Sequence, residues 1–279
     1  MVALPIALLA GLLLSSAARS DGVATQVADF QSAVEEKRYD EAQAQVRPLA
    51  VKFGELGVVL ADKTTAKEVV VASQADRKLI SDGFAKAIGN VRAPTALHAV
   101  ILREFGPKPE EGEKLLLKAL ELKHIEDAPE VLAAGVKALG SYRKTKHLDT
   151  LAKYARSSKV DVVNAAASAL GGYFGEKESI RKQIAGDLVL AYTSAGSGIG
   201  NFGTEGGGTR TLVDSAFRMS VCHEFKLALE RLTGGTSFNS AEEWAEWYRA
   251  NKAKPWRDGV DSPKGALQSG GVCPVPSGH

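Results

Sequence analysis

Apolar residues recur at intervals of three and four along most of the chain, a spacing that predicts α-helices. Two amphipathic helices are expected near the start, over 23–36 and 40–53. A longer helix is expected to begin at a capping box formed by Thr65 and Glu68 and to end near Ile88. The first third of the chain is therefore expected to be helical.

A degenerate repeat runs through the centre of the chain. The phrase ALGSY at 138–142 recurs as ALGGY at 169–173, a shift of 31 positions (169 − 138). The pair Ala-Pro at 93–94 recurs at 128–129, a shift of 35 positions (128 − 93). Periods of this size are typical of stacked helix pairs, because one pair cannot bury its apolar face alone whereas a stack can.

Individual residues have defined places in this repeat. Leu139 and Leu170 are expected to fill the layer between neighbouring helices. Gly140 and Gly171 are expected to let the chain turn at the helix end. Pro129 is expected at the first helical position, where its missing N–H costs nothing.

The phrases that carry the repeat resemble a known family. DAPEVLAAGVKALGSYR, from Asp127, and DVVNAAASALGGYFGE, from Asp161, resemble the HEAT-repeat family, including the short repeats found in bacterial proteins. RLTGGTSFNSAEEWAEWYRANKAKPW, which ends at Trp256, is similar to the closing segment of exported bacterial HEAT-repeat proteins. The resemblance implies an all-α fold, an α-α superhelix (HEAT-like solenoid) of stacked antiparallel helix pairs over 90–256. Residues 22–89 are helical by pattern and are not assigned to the repeat.

The ends of the chain predict export. Residues 2–14 are apolar and uncharged, and the small residues Ser16 to Ala18 follow as a cleavage site of the A-x-A type. About 13 apolar residues are too few to cross a bilayer, which takes roughly 20. We expect a signal peptide at 1–18, with a buried N-terminal helix as the alternative. The protein would be periplasmic or secreted, with no membrane anchor after cleavage and a Gly/Pro-rich tail at 257–279.

Composition narrows the class of protein. Hydrophobic residues make up 44% of the chain and charged residues 24%, which is an ordinary globular balance. A net charge of +2 implies no general attraction to nucleic acid or anionic lipid, so no nucleic-acid partner is expected. The two cysteines, Cys222 and Cys273, are expected to form a disulfide that pins the tail, with two free thiols as the alternative.

The stretch GSGIGNFGTEGGGTR at 196–210 contains the G-x-G-x-x-G spacing that cradles a dinucleotide pyrophosphate. Such a loop needs a strand before the first glycine and a helix that opens at the third. Gly203 is followed instead by TEGGG, and no alternation of strands and helices surrounds it. We expect a long loop over 194–210 without a cofactor, either as simple slack or as a lid or partner-binding loop.

Residues for metal binding or catalysis do not follow a known motif. His223 and Glu224 lack the second histidine of H-E-x-x-H, because Leu227 occupies its position. The other histidines show no paired ligand spacing, and no serine or cysteine has the setting of an activated nucleophile. No metal site and no catalytic residue are therefore expected.

Two groups of side chains are candidates for binding. A basic stretch interrupted only by Asp149 is expected to place several cations on one edge of the helical stack, with a merely solvated edge as the alternative. It consists of Arg143, Lys144, Lys146, Lys153, Arg156 and Lys159. Trp244, Trp247 and Tyr248 share one face of the last helix and are expected to close the array, with a platform for a sugar or peptide as the alternative.

The expected function is that of an exported, non-enzymatic scaffold that binds a protein partner along its helical edge. The alternative is a cell-envelope hydrolase or lyase built on the same helices. That alternative needs a buried carboxylate or histidine in a pocket beside the 194–210 loop. The sequence leaves the partner and the oligomeric state open.

Overall fold

The computed structural model describes residues 22–55, 66–106, 110–196 and 223–256. Every regular element within these residues is a helix, so the prediction of an all-α chain is confirmed for them. Several predicted features lie outside the described residues, namely the signal peptide at 1–18, Thr65, most of the 194–210 loop, Cys222, Cys273 and the tail at 257–279.

The helices are numbered in chain order. Helix α1 covers 22–35, and α2 to α6 cover Tyr39–Glu55, Ala66–Gly89, Thr95–Glu104, Glu110–Leu120 and Lys123–Glu126. Helices α7 to α10 cover Pro129–Ser141, Leu148–Tyr154, Val160–Gly171 and Glu178–Gly196, while α11 covers 223–233 and α12 covers Ala241–Asn251. None of the described helices is both long and apolar enough to span a membrane.

The chain divides into two compact units between Val131 and Leu132. The first unit therefore contains the helical region 22–89 together with the first helices of the predicted array. The second unit contains the repeated ALG phrases. The predicted domain bounds stay a prediction.

A row of phenylalanine rings forms the centre of the first unit. Phe30 of α1 meets Phe84 of α3 edge to face, with ring centres 5.2 Å apart. Phe84 makes the same contact with Phe105 after α4, at 5.2 Å, and Phe105 lies 5.1 Å from Phe53 of α2. All four rings are fully buried. Because each ring comes from a different segment, this row fixes α1 to α4 in a single core.

Two histidines cover the end of α3 in the same unit. The Nε2 atoms of His98 and His124 lie 3.2 and 2.8 Å from the carbonyl oxygens of Ala87 and Ile88, to which a protonated Nε2 donates. These carbonyls belong to the last turn of α3, which lacks the usual helical donors, although that of Ala87 also accepts the N–H of Asn90 at 3.2 Å. The two rings are 5.4 Å apart. The histidines therefore act together as side-chain caps.

The stability of the first unit is expected to fall as the pH is lowered from 7.5 to 5.5. Burial lowers the pKa of His98 below its ordinary 6.5; nearby His124 lowers it further, and the bond to Ala87 partly offsets both. The unfolded chain then binds more protons than the folded one, so the free energy of unfolding decreases once the pH drops below 6.5. Urea unfolding followed by circular dichroism measures this dependence.

The contribution of His98 is isolated by comparing slopes between variants. His98→Gln should show a shallower loss of stability toward low pH than the parent chain. His223→Gln, at an exposed position in α11, should keep the parent's slope. If the slope were unchanged in His98→Gln, another group would be responsible.

In the second unit, two glycines allow helices to approach closely. A Cβ on Gly140 of α7 would lie 2.9 Å from the Cα of Ala169 in α9, and closer still to its Cβ. A Cβ on Gly171 of α9 would lie 2.9 Å from the Cα of Ala228 in α11. The same contact thus joins α7 to α9 and α9 to α11. Helix α8 packs on α9 and α10, and α10 packs on α12.

These contacts correct the predicted role of the two glycines. Gly140 lies inside α7, and Gly171 has ordinary right-handed helical angles, φ −60° and ψ −22°. Neither makes the turn at the helix end. After α7 that role belongs to Arg143, whose φ of 50° is left-handed. After α9 the chain continues in a 3-10 turn, Gly172–Gly175.

Helix α11 ends in a glycine turn. Gly234 and Gly235 have φ of 76° and 94°, and the N–H of Gly235 donates to the carbonyl of Glu230 at 2.8 Å. This is the Schellman arrangement, which requires a left-handed residue after the helix. The buried Arg181 donates from Nη1 to the carbonyl of Leu232, 2.8 Å away, and so caps the same helix end.

The sequence Ser-Ala-Glu-Glu at 240–243 predicts a capping box at the start of the last helix, and this prediction is confirmed. The N–H of Glu243 donates to the Ser240 hydroxyl oxygen at 3.2 Å, and the N–H of Ser240 donates to the Glu243 carboxylate at 3.1 Å. Trp244, one position further, is fully buried, so it serves packing and offers no platform to a ligand. Tyr248 packs over Gly186 and donates its hydroxyl proton to the carbonyl of Lys182 at 3.0 Å.

Candidate binding surface at the turn after helix α7

The six predicted cations lie in two groups in the second unit. The first cation group comprises Arg143, Lys144 and Lys146, in the turn between α7 and α8. The second cation group comprises Lys153, Arg156 and Lys159, around the turn between α8 and α9.

The two groups are at opposite ends of α9. The hydroxyl of Tyr173, just after α9, donates to the carbonyl of Lys144 at 3.0 Å, which places the first cation group at the C-terminal end of that helix. The second cation group leads directly into its N-terminal end. Helix α8, with 7 residues and a rise of about 1.5 Å per residue, puts only about 10 Å of helix between the two groups.

The second cation group is partly neutralised. Arg156 Nη2 lies 3.1 Å from Oδ1 of Asp187 in α10. Burial raises the pKa of Asp187, Arg156 lowers it, and Asp149 raises it again, so two carboxyl groups act in this neighbourhood. An incoming anion would therefore meet acids as well as cations here.

The first cation group is combined with aromatic rings. The guanidinium carbon of Arg143 lies 5.8 Å from the ring centre of Phe174, and Nζ of Lys144 lies 5.8 Å from that of Tyr142. Cations at this distance from a ring are attracted by its electron-rich face. Phe174 and Tyr142 are half-buried, and Arg143 and Lys144 are exposed. The turn thus presents cations that its own rings hold in position.

The backbone of this turn is fixed from two sides. The N–H of Arg143 donates to the carbonyl of Gly140 at 3.1 Å, while Tyr173 bonds the next carbonyl, that of Lys144. Burial raises the pKa of Tyr173 to about 12; Glu176 adds to the rise and Arg143 opposes it. The phenol therefore keeps its proton at neutral pH and remains a donor.

Arg143 has unused hydrogen-bonding capacity. Among the residues that the structure describes, its guanidinium contacts the Phe174 ring and has neither a hydrogen-bond acceptor nor a carboxylate partner. A guanidinium carries five N–H donors in a planar fork that fits a carboxylate or phosphate with two parallel bonds. The arrangement suits recognition of an oxyanion.

The glycine-rich loop and a metal centre are the other candidate sites. Helix α10 runs to Gly196, so a helix and not a strand precedes the glycines of the 194–210 loop, and the requirement of a dinucleotide loop is not met. No group of three or more histidine, cysteine or acidic residues suited to a metal ion occurs within the described ranges.

A small cleft of about 160 Å³ lies between α1 and α3 in the first unit. Its lining is mainly apolar, with Phe30, Val34 and Ala87, and the ion pair of Glu35 and Lys86 closes one side, Oε1 to Nζ at 2.6 Å. The carboxylate is exposed and paired with the lysine. The lining of this cleft thus contains neither a buried carboxylate nor a histidine.

Sequence reasoning found the cations of the turn but missed its rings. Phe174 is 31 positions from Arg143 (174 − 143) and carries no motif, and the close contact of α7 with α9 brings the two together. No family model matches the chain, and neither a curated protein nor a solved structure shows significant similarity to it. Function is therefore inferred from the fold and the surface chemistry.

Proposed function

We propose that the protein is an exported, non-enzymatic scaffold of HEAT-like repeats that binds a protein partner. The contact surface would be the helical rim of the second unit, meaning the helix ends and turns that carry the two cation groups. This proposal extends the all-helical fold to a solenoid and assigns it a binding role.

The observation that carries the proposal is the repeated glycine–alanine contact. Gly140 meets Ala169, and Gly171, which is 31 positions after Gly140 (171 − 140), meets Ala228. Recurrence of one helix contact at equivalent positions is what a stack of similar helix pairs produces. Solenoids as a class present long surfaces to other proteins, and this step from fold to function is an analogy.

Charge reversal on the rim tests the proposal. The chain and a variant with Lys144, Lys146, Lys153 and Arg156 changed to glutamate would be crosslinked in envelope and secreted fractions. One protein should be captured reproducibly by the parent chain and at least about tenfold less by the variant, because reversed charges repel a complementary surface.

A control with the same change in net charge keeps the result specific. It replaces four exposed cations elsewhere in the second unit by glutamate: Lys137, Arg249, Lys252 and Lys254. This control should capture the partner as well as the parent does. Equal loss in both variants would reduce the effect to overall charge, and no capture by the parent would contradict the scaffold.

A further inference from the structure

Arg143 is held in a geometry that favours an external anion. Its backbone has a φ of 50°, and its guanidinium lies against the face of Phe174. This contact uses the charge of the guanidinium, and its N–H donors have no acceptor among the described residues. An arginine that is already ordered loses less conformational entropy when it binds a ligand.

The surroundings of Arg143 are positive. Lys144 and Lys146 lie on the same turn, so three of the four residues 143–146 are cations. Two acids lie near this turn: Asp149, exposed in the first turn of α8, and Glu176, half-buried after α9, whose charge raises the pKa of Tyr173. Three cations against two carboxylates leave a small excess of positive charge at the turn.

The arrangement fits a short acidic segment better than a long polyanion. A nucleic acid is bound by neutralising many successive phosphates, which needs a continuous row of cations. Here the second cation group lies at the other end of α8, about 10 Å of helix away, and its Arg156 is already paired with Asp187. Two or three carboxylates with an apolar neighbour match the turn, because Phe174 and Tyr142 supply apolar surface beside the cations.

We infer that the 142–147 turn and Phe174 form an anchor for an acidic peptide segment, with Arg143 binding one carboxylate through two hydrogen bonds. The inference rests on the proposed scaffold function and names the chemistry of its partner. Lys144 and Lys146 attract the neighbouring carboxylates, and the Phe174 ring holds the guanidinium and contacts the apolar part of the segment.

Binding of a synthetic peptide to the full chain tests the anchor. The probe is a fluorescently labelled peptide with four glutamates around one phenylalanine, and its control is the same peptide with glutamine for glutamate. The acidic peptide should bind with an affinity that falls as salt is added, and the glutamine peptide should bind at least about tenfold more weakly.

Four variants separate the parts of the anchor. Arg143→Asn, in which asparagine tolerates the left-handed backbone, should weaken binding about tenfold or more. Arg143→Lys keeps the charge without the planar fork and should still lose several-fold. Phe174→Leu should weaken binding through loss of the ring. Arg156→Gln, in the second cation group, should stay within about twofold of the parent.

Circular dichroism and thermal unfolding of each variant confirm that it is folded before binding is interpreted. Equal weakening by Arg143→Asn and Arg156→Gln would overturn the anchor, and so would full retention in Arg143→Lys and Phe174→Leu. Tighter, Arg143-dependent binding of a single-stranded oligonucleotide would replace the peptide by a nucleic acid. If the parent captures a partner while no acidic peptide binds, the anchor fails and the scaffold stands. If the acidic peptide binds but the parent captures no partner, the anchor stands and the scaffold fails.

Discussion

Gly140→Ala is expected to destabilise the second unit by about 3 kcal/mol, a large effect for the addition of one methyl group. The new Cβ would lie 2.9 Å from the Cα of Ala169, which is backbone and cannot rotate away. Helix α7 or α9 would have to shift, and the buried side chains of the neighbouring residues Leu139 and Leu170 would have to repack. Chemical denaturation followed by circular dichroism measures the loss.

Two further variants distinguish crowding from other effects of alanine. Gly172 has helical angles, φ −66° and ψ −15°, and a Cβ there has nothing within 4 Å, so Gly172→Ala should be neutral or stabilise by up to about 1 kcal/mol. Ala169→Gly in the Gly140→Ala background should restore part of the loss. A turn role for Gly140 would give the same loss without rescue.

Trp244→Ala is expected to cost about 3–5 kcal/mol, the range for removal of a buried tryptophan. Trp244 is 0% exposed, and its ring centre lies 5.1 Å from Phe238 and 5.9 Å from Trp247. Its removal leaves a cavity at the start of α12, close to the capping box. The helix would then lose the contact that holds its first turn against the unit.

Trp247→Ala is the matched control, because Trp247 belongs to the same aromatic cluster but is half-buried. It should cost clearly less, about 1–2 kcal/mol, in the same denaturation experiment. A greater loss of stability from Trp247→Ala than from Trp244→Ala would show that the half-buried Trp247, and not Trp244, is the centre of the cluster. Preserved helicity in both variants at low denaturant would exclude general misfolding.

The sequence predicted helices well because their signal is local. The bounds of α1, α2 and the end of α3 are met within two residues, since apolar periodicity and helix-ending glycine act over one or two turns. The capping box at Ser240 was found for the same reason. Each of these features depends on neighbours within about four positions.

Features that depend on packing were misread or missed. Gly140 lies near the end of its helix and was therefore predicted to form a turn, whereas its role is to let Ala169 of α9 approach closely. The capping role of His98 and His124 has no sequence motif, because the carbonyls that they bond belong to a different helix, α3. The six cations are close in sequence, but the reversal of direction between α8 and α9 sends them to opposite ends.

The left-handed backbone of Arg143 lowers the stability of the turn in which the proposed binding residue lies. Helix α11 leaves its last turn through Gly234 and Gly235, which adopt positive φ without steric cost. Helix α7 leaves through an arginine, for which the same conformation costs roughly 1–2 kcal/mol. The chain therefore has a residue at this turn that is poorer for stability, and in the proposed anchor that residue supplies the guanidinium. If the anchor is correct, the sequence that would make this turn most stable differs from the one that binds the peptide.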